Sequence, residues 1–150
     1  MNDTKFLTFY KDMLIAAQKN STCKRLQVAA IIVKDGRVIN SGWNGSLPKA
    51  EHCMDKFKDM STDDPLFYQL HGEWSAKYES HAEISAIATA AKLGIPIGGW
   101  EIAISYTPCL PCAKAIVMAG LTKVYYLHKY DRDPEGLSLL MERNIPCIQM

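Results

Sequence analysis

Val28-Ala29-Ala30-Ile31-Ile32-Val33-Lys34-Asp35-Gly36-Arg37-Val38-Ile39-Asn40-Ser41 is the stretch that decides the fold. Val28 to Val33 is a continuous apolar run, Asp35-Gly36 is a tight-turn signal, and Arg37 to Ser41 carries a second short strand, so the stretch reads as a β-hairpin. Upstream, Phe6, Tyr10, Met13, Leu14 and Ala17 recur at helical spacing, and the amphipathic helix they define fades near Lys19-Asn20-Ser21. Downstream, Gly42 to Asp64 is irregular, polar and too long for a simple connector; a loop of that kind is functional or pinned by something. Glu83 to Leu93 reads as a buried, alanine-rich helix that stops at Gly94 before Pro96. Trp100 to Tyr106 follows as a strand, Cys112 to Ala119 as a helix ended by Gly120, and Lys123 to Leu127 as another strand. Gly136 to Arg143 is helical in pattern and Pro146 to Met150 a weak final strand. A hairpin followed by alternating helices and strands predicts a mixed sheet with helices on both faces, an α/β/α sandwich of three layers.

The 150 residues, 48% of them hydrophobic, suit one compact domain over 1–150, large enough to bury roughly two thirds of its unfolded surface. Neither repeats nor low-complexity stretches interrupt it. Lysine plus arginine total 17 against 16 acidic residues, so no net field draws a long polyanion. A small anionic ligand suits this balance better than nucleic acid. Met1 to Tyr10 mixes Asp3 and Lys5 with apolar residues, which gives neither the core of a signal peptide nor a membrane span. No membrane partner is expected, and the expected location is the cytoplasm, that of a host if the chain is phage-encoded. Five cysteines, an odd count, read as metal ligands or free thiols rather than as a disulfide framework.

Two short segments carry chemistry: His81-Ala82-Glu83 and Pro108-Cys109-Leu110-Pro111-Cys112, each where a strand or loop enters a predicted helix. Cysteines three apart at a helix N-terminus can point two sulfurs at one ion, and the free N–H groups and dipole there favour thiolate. His81 would complete three protein ligands. Structural zinc takes four ligands, whereas three leave a position to water and lower its pKa to about 7. Glu83 lies too far round the helix to share the direction of His81, so it can serve as the general base that moves the water's proton. Alone, the cysteine pair could be a redox couple or half a zinc knuckle, but a redox couple has no use for His81-Ala82-Glu83 and a structural knuckle would not need Glu83. Together the segments match the H-x-E and P-C-x-x-C signature of zinc deaminases that act on cytosine or adenine.

The residues His81-Ala82-Glu83-Ile84-Ser85-Ala86-Ile87 with Thr107-Pro108-Cys109-Leu110-Pro111-Cys112-Ala113-Lys114 resemble the deoxycytidylate (dCMP) deaminase family, and Gly42-Trp43-Asn44-Gly45 resembles its glycine-rich loop. The likeness runs from about Thr22 to Asp133, and His71-Gly72-Glu73-Trp74-Ser75 looks like the bacteriophage type. It implies the cytidine deaminase fold, a five-stranded mixed sheet with zinc between two helix N-termini. It also implies hydrolysis of dCMP to dUMP and ammonia, which feeds thymidylate synthesis. By the same resemblance His81, Cys109 and Cys112 hold the catalytic zinc, Glu83 shuttles protons, Asn44 holds the sugar hydroxyl and Tyr130 lines the nucleotide pocket. The 5′-phosphate needs positive charge or N–H groups; Lys24, Arg25, Lys129 and Arg132 are the candidates, and sequence does not choose among them.

The resemblance further implies a second, structural zinc on Cys23, Cys53, His71 and Glu79, which would pin the long loop, with His52 as a competing ligand beside Cys53. Relatives of this type are hexamers activated by dCTP and inhibited by dTTP, with Mg2+ bridging the phosphates against the glycine-rich loop. Gly42, Asn44, Gly45 and Ser85 are the matching positions. This chain has Ser85 where asparagine is common and Lys92 where phage relatives have arginine, so an altered or absent effector response is expected. Two rival readings stay open. One is deamination of another substrate, namely cytidine, dCTP or adenosine in tRNA, and the other is an inert zinc module that binds a nucleotide.

Overall fold

The hairpin forms as residues 28–41 predict. In the computed structural model, which describes residues 3–150, β1 (Ala29–Lys34) and β2 (Arg37–Trp43) pair antiparallel. Met1 and Asn2, the start of the stretch read above for an export signal, lie outside the described residues. Asp35 and Gly36 both turn at positive φ, 50° and 75°, the geometry of the two-residue turn that matches the twist of paired strands. α1 (Asp3–Gln18) precedes the hairpin. After it come β3 (Gly45–Ser46), α2 (Cys53–Lys56), α3 (Pro65–Tyr78), β4 (Glu79–Ser80) and α4 (Ala82–Leu93). β5 (Glu101–Tyr106), α5 (Leu110–Met118), β6 (Lys123–His128), α6 (Glu135–Glu142) and β7 (Cys147–Gln149) complete the chain.

The main sheet has five strands in the order β2-β1-β5-β6-β7. β1 is antiparallel to both its neighbours, whereas β5, β6 and β7 run parallel. Alternate residues of the central strands feed two cores, as a period of two requires. Ala29, Ile31, Val33, Ala103, Tyr125 and Leu127 meet Tyr10 and Leu14 of α1 on one face. Ile32, Ile102, Ile104 and Val124 meet α4, α5 and α6 on the other through residues such as Ala86, Ile116 and Leu140. That is the expected three-layer sandwich. Gly42 of β2 lies against the backbone of α4, where a Cβ would run into Ala82 and Ala86. Among the described residues no helix is long and apolar enough to cross a membrane.

The irregular loop expected over Gly42 to Asp64 carries short regular elements, and the stretch from 65 to 80, for which no element was expected, is also folded. β2 continues to Trp43, β3 pairs antiparallel with β4, and α3 is a helix of 14 residues that periodicity did not reveal. Its start carries a local signal, unused in the sequence analysis: the Asp64 carboxylate accepts the Leu66 N–H at 2.9 Å and Pro65 occupies the first turn. Its interior carries none. α3 buries only Phe67 and His71, against a third, small core of Cys23, Cys53 and Phe57, so it lacks the broad apolar stripe of an ordinary surface helix.

Candidate metal centre and catalytic cavity

His81 is the residue immediately before α4 and Cys109 the one immediately before α5. Both have extended backbone, and neither uses its side chain to cap its helix, so imidazole and thiol are free to point away from the helix axes. Cys112, one turn into α5, joins them. The His81 Nδ1 atom lies 3.4 Å from the Cys109 sulfur and 3.4 Å from the Cys112 sulfur. Zinc bonds of ~2.3 Å to sulfur and ~2.0 Å to nitrogen at a tetrahedral angle would set these atoms about 3.5 Å apart. The spacing therefore fits a zinc ion.

The electrostatics of the three groups agree. The hydrogen bond from Cys112, with His81 adding to it, lowers the Cys109 thiol to about 4. The hydrogen bond with Cys109, and then its negative charge, raises the His81 imidazole in turn. The hydrogen bond that the Cys112 thiol makes to Cys109, then burial, pushes the Cys112 thiol up, with the charges of Glu83 and Cys109 adding to it. Without a cation the cluster cannot release both thiol protons near neutrality, and a divalent ion removes that conflict.

Glu83, in the first turn of α4, is 5% exposed and turned into the interior beside this cluster. Burial raises its carboxyl above the usual range. A cavity of about 380 Å³ opens over it, with Asn44, His81, Thr107 and Tyr130 in its wall. That volume lies within the range of small-molecule sites.

Asn44 borders the cavity, but most of its amide faces inward. Its Oδ1 accepts from the Val28 N–H at 2.8 Å and from the Ser21 hydroxyl at 2.6 Å, and its Nδ2 donates to the Leu26 carbonyl at 2.7 Å. Only the second Nδ2 proton is left for a ligand. Tyr130 also borders the cavity, and its N–H donates to the Thr107 hydroxyl at 2.7 Å.

Three residues that sequence reasoning passed over shape this site. Thr107, 5% exposed, positions Tyr130; Ser21 orients Asn44. The Asp133 carboxylate accepts the Leu110 N–H at 3.0 Å, supplying the cap that Cys109 does not. Their partners lie 23 residues away in each case, so no local signal existed.

The second predicted set also gathers. Cys23, Cys53, His71 and Glu79 place one donor atom each within 4.8 Å of one another. His71 Nε2 lies 3.5 Å from the Cys23 sulfur and 3.6 Å from Glu79 Oε2. His71 Nδ1 and Glu79 Oε1 are buried without hydrogen-bond partners among the described residues. A hydrogen bond from Cys53 lowers Cys23 to about 5, while burial and then the Cys23 charge raise Glu79 to about 7. Crowded, buried anions of this kind fit a cation. His52 lies outside the cluster, immediately before α2 and along a separate depression of about 360 Å³. Gly45, Ser85 and Lys92 share that depression. The structure does not bring all four proposed effector residues together: Gly42 is buried between β1 and α4, and Asn44 faces the catalytic cavity.

A basic carboxyl group buried against three soft metal donors, at paired helix N-termini over a mixed sheet, defines a zinc-type deaminase. Residues 4–128 match the family described as the cytidine and deoxycytidylate deaminase zinc-binding region, and the chain belongs to that family. ComE operon protein 2 of Bacillus subtilis is 35% identical over 87% of this chain, which spans only 63% of that relative's length. The deoxycytidylate deaminase of Enterobacteria phage T4 is 32% identical over 79% of the chain and 75% of its own length. The dCMP deaminase of cyanophage S-TIM5, solved with dCMP and dUMP, superposes with a TM-score of 0.78 at 28% identity over 100% of this chain and 99% of its own.

Proposed function

We propose that this chain deaminates dCMP hydrolytically, giving dUMP and ammonia. The observation that carries the proposal is Glu83, a buried carboxyl of raised pKa in a nucleotide-sized cavity beside the His81, Cys109 and Cys112 donors. The dCMP deaminases of phage T4 and cyanophage S-TIM5 support the choice of substrate.

His81, Cys109 and Cys112 are the residues that would hold the catalytic zinc. When bound, zinc supplies Lewis acidity that makes water nucleophilic near neutral pH. Glu83 accepts the proton of the water that attacks C4 of the pyrimidine and returns it to the ring nitrogen. A second transfer through the same carboxyl accompanies cleavage of the C4–N bond and departure of ammonia. Its raised pKa suits a group that must hold a proton between the two transfers. Asn44 offers its remaining Nδ2 proton to the sugar hydroxyl, and Tyr130 packs along the nucleotide.

Cys23, Cys53, His71 and Glu79 hold a second, structural zinc in this reading, supported by four converging donors and two buried, unpartnered polar atoms. Regulation by dCTP and dTTP, with Mg2+ on the triphosphate, belongs at the depression that contains Gly45, Ser85 and Lys92. A hexamer formed by one folding unit over 1–150 and a reducing, cytoplasmic setting complete the reading; five cysteines, none in a disulfide, suit the latter.

Two measurements test it. A panel of cytidine, dCMP and dCTP, each with and without dCTP or dTTP as effector, should give dCMP the highest kcat/KM; preference for free cytidine rejects the substrate. Glu83→Ala should retain zinc and lose about 10³-fold or more in kcat, because both proton transfers use one carboxyl. Full activity in that variant rejects the mechanism.

A further inference from the structure

The segment that carries Cys109 has little means of fixing its own backbone. Pro108 and Pro111 bring no N–H, so Thr107, Cys109 and Leu110 hold the only backbone donors from 107 to 111. Two of these three are tied to one stretch, residues 128–133, which leaves the end of β6 and carries Tyr130 into the cavity wall. The Thr107 N–H donates to the His128 carbonyl at 2.9 Å, and the Leu110 N–H donates to the Asp133 carboxylate at 3.0 Å. The Thr107 hydroxyl also accepts the Tyr130 N–H at 2.7 Å. The stretch is therefore pinned at both ends to the residues that flank Pro108 and Cys109.

Asp133 is the anchor at the far end. It is half-buried between the exposed residues Arg132 and Pro134, and its two oxygens serve two helices. Oδ2 accepts the Leu110 N–H that opens α5, and Oδ1 accepts the Glu135 N–H that opens α6. A carboxylate there suits the positive end of both helices. The Cys109 sulfur lies 3.4 Å from His81 Nδ1, so an acceptor from outside the helix leaves that sulfur to the metal cluster. We infer that Asp133 is a positioning residue that ties metal retention to nucleotide binding, by fixing the first turn of α5, and with it Cys109, to the stretch whose Tyr130 lines the cavity. A nucleotide packed on Tyr130 steadies residues 128–133, and these steady Cys109 through Leu110. By linkage, a filled metal site favours the nucleotide to the same degree.

The inference rests on the dCMP reading for its ligand, and the test keeps the two apart. Zinc-loaded wild type, Asp133→Ala, Asp133→Asn and Thr107→Val are mixed with a chromogenic chelator, with and without saturating dUMP, whose binding is measured by calorimetry. The release phase that Cys112→Ser lacks is the one compared. Bound dUMP should slow that phase in wild type by about 10-fold. Asp133→Ala should release zinc about 10-fold faster without nucleotide and lose most of the protection by dUMP. Asp133→Asn, which keeps one acceptor oxygen, should fall between the two. Thr107→Val frees Tyr130 and leaves the Leu110 contact, so it should keep the wild-type rate without nucleotide and lose protection. A cap that only stabilises α5 would lower Tm and leave the ratio of the two release rates untouched. An undiminished ratio in Asp133→Ala, or in Asp133→Asn should the alanine variant not fold, overturns the inference, as does wild type that binds dUMP without slower release. Wild type that does not bind dUMP rejects the dCMP reading instead, and the nucleotide-free release rate of the Asp133 variants then decides the positioning role by itself.

Discussion

Asn44 is the residue whose replacement best separates scaffolding from binding. Its amide joins three segments: Ser21 three residues beyond the first helix, Leu26 and Val28 before β1, and its own position after β2. Asn44→Ala deletes all three hydrogen bonds and leaves the Val28 N–H and Leu26 carbonyl facing a part-buried gap. At about 0.5–1.5 kcal/mol per bond, more where a partner is stranded, the loss is about 2–4 kcal/mol. For a chain of this size each kcal/mol lowers Tm by about 2–4 °C, so a thermal melt should fall by about 5–15 °C. Asn44→Asp keeps an oxygen for the Ser21 and Val28 contacts but loses the donor that faces both Leu26 and the ligand. It should melt above Asn44→Ala, yet both variants should lose about 5–10-fold in kcat/KM on dCMP when assayed well below their melting points. Wild-type kcat/KM in Asn44→Asp would show that the amide only braces the loop, and an unmoved Tm in Asn44→Ala would show that its three bonds contribute nothing.

Gly136 has no room for a Cβ, which would strike the Pro108 carbonyl and the Cys109 backbone. Gly136→Ala should therefore cost about 1–3 kcal/mol and release zinc faster to a chromogenic chelator, since Cys109 must shift; wild-type release kinetics would contradict this. Metal analysis of the purified protein should give about two zinc per chain and Cys53→Ser about one, with a lower Tm; one zinc per chain, unaffected by Cys53→Ser, rejects the second site. Burial raises the Tyr10 hydroxyl above its ordinary value of 10.0. A raised folded pKa contributes stability that is present below pH 10 and lost as pH climbs through the folded value, so Tyr10→Phe should flatten the fall in Tm above pH 10; parallel curves for the two proteins would refute it.

How much of this was legible in the sequence follows from where each signal resides. The hairpin was legible because Asp35-Gly36 and the flanking apolar runs are local, and so was α4, ended by Gly94 in the left-handed conformation. His81, Glu83, Cys109 and Cys112 were legible because metal ligation needs particular elements at fixed spacing. α3 was missed because it buries little apolar surface. The inward turn of Asn44 and the capping by Asp133 were missed because they depend on partners brought together only by folding. The engagement of Lys24 is of the same kind, since its ammonium donates to two carbonyls that sequence does not place beside it.

The two donor clusters differ in ways that assign them different work. His81, Cys109 and Cys112 are three donors, one on an exposed histidine, and beside them stands a carboxyl that is not part of the cluster; such a set leaves a position open toward the cavity. Cys23, Cys53, His71 and Glu79 are four, three of them buried and the fourth nearly so, which is a closed set. The apolar core around the second set is slight, with Cys23, Cys53, Phe57 and Phe67 as its buried members. It must nonetheless order α2, α3 and the β3–β4 pair. A metal in that place would supply the folding energy that so few apolar side chains cannot. Its donor residues adjoin the catalytic cavity: Glu79 lies two residues before His81, and Cys23, His71 and Glu79 form part of the cavity wall. Loss of the closed site should therefore register first as weakened nucleotide binding, and only afterwards as loss of the open site's zinc.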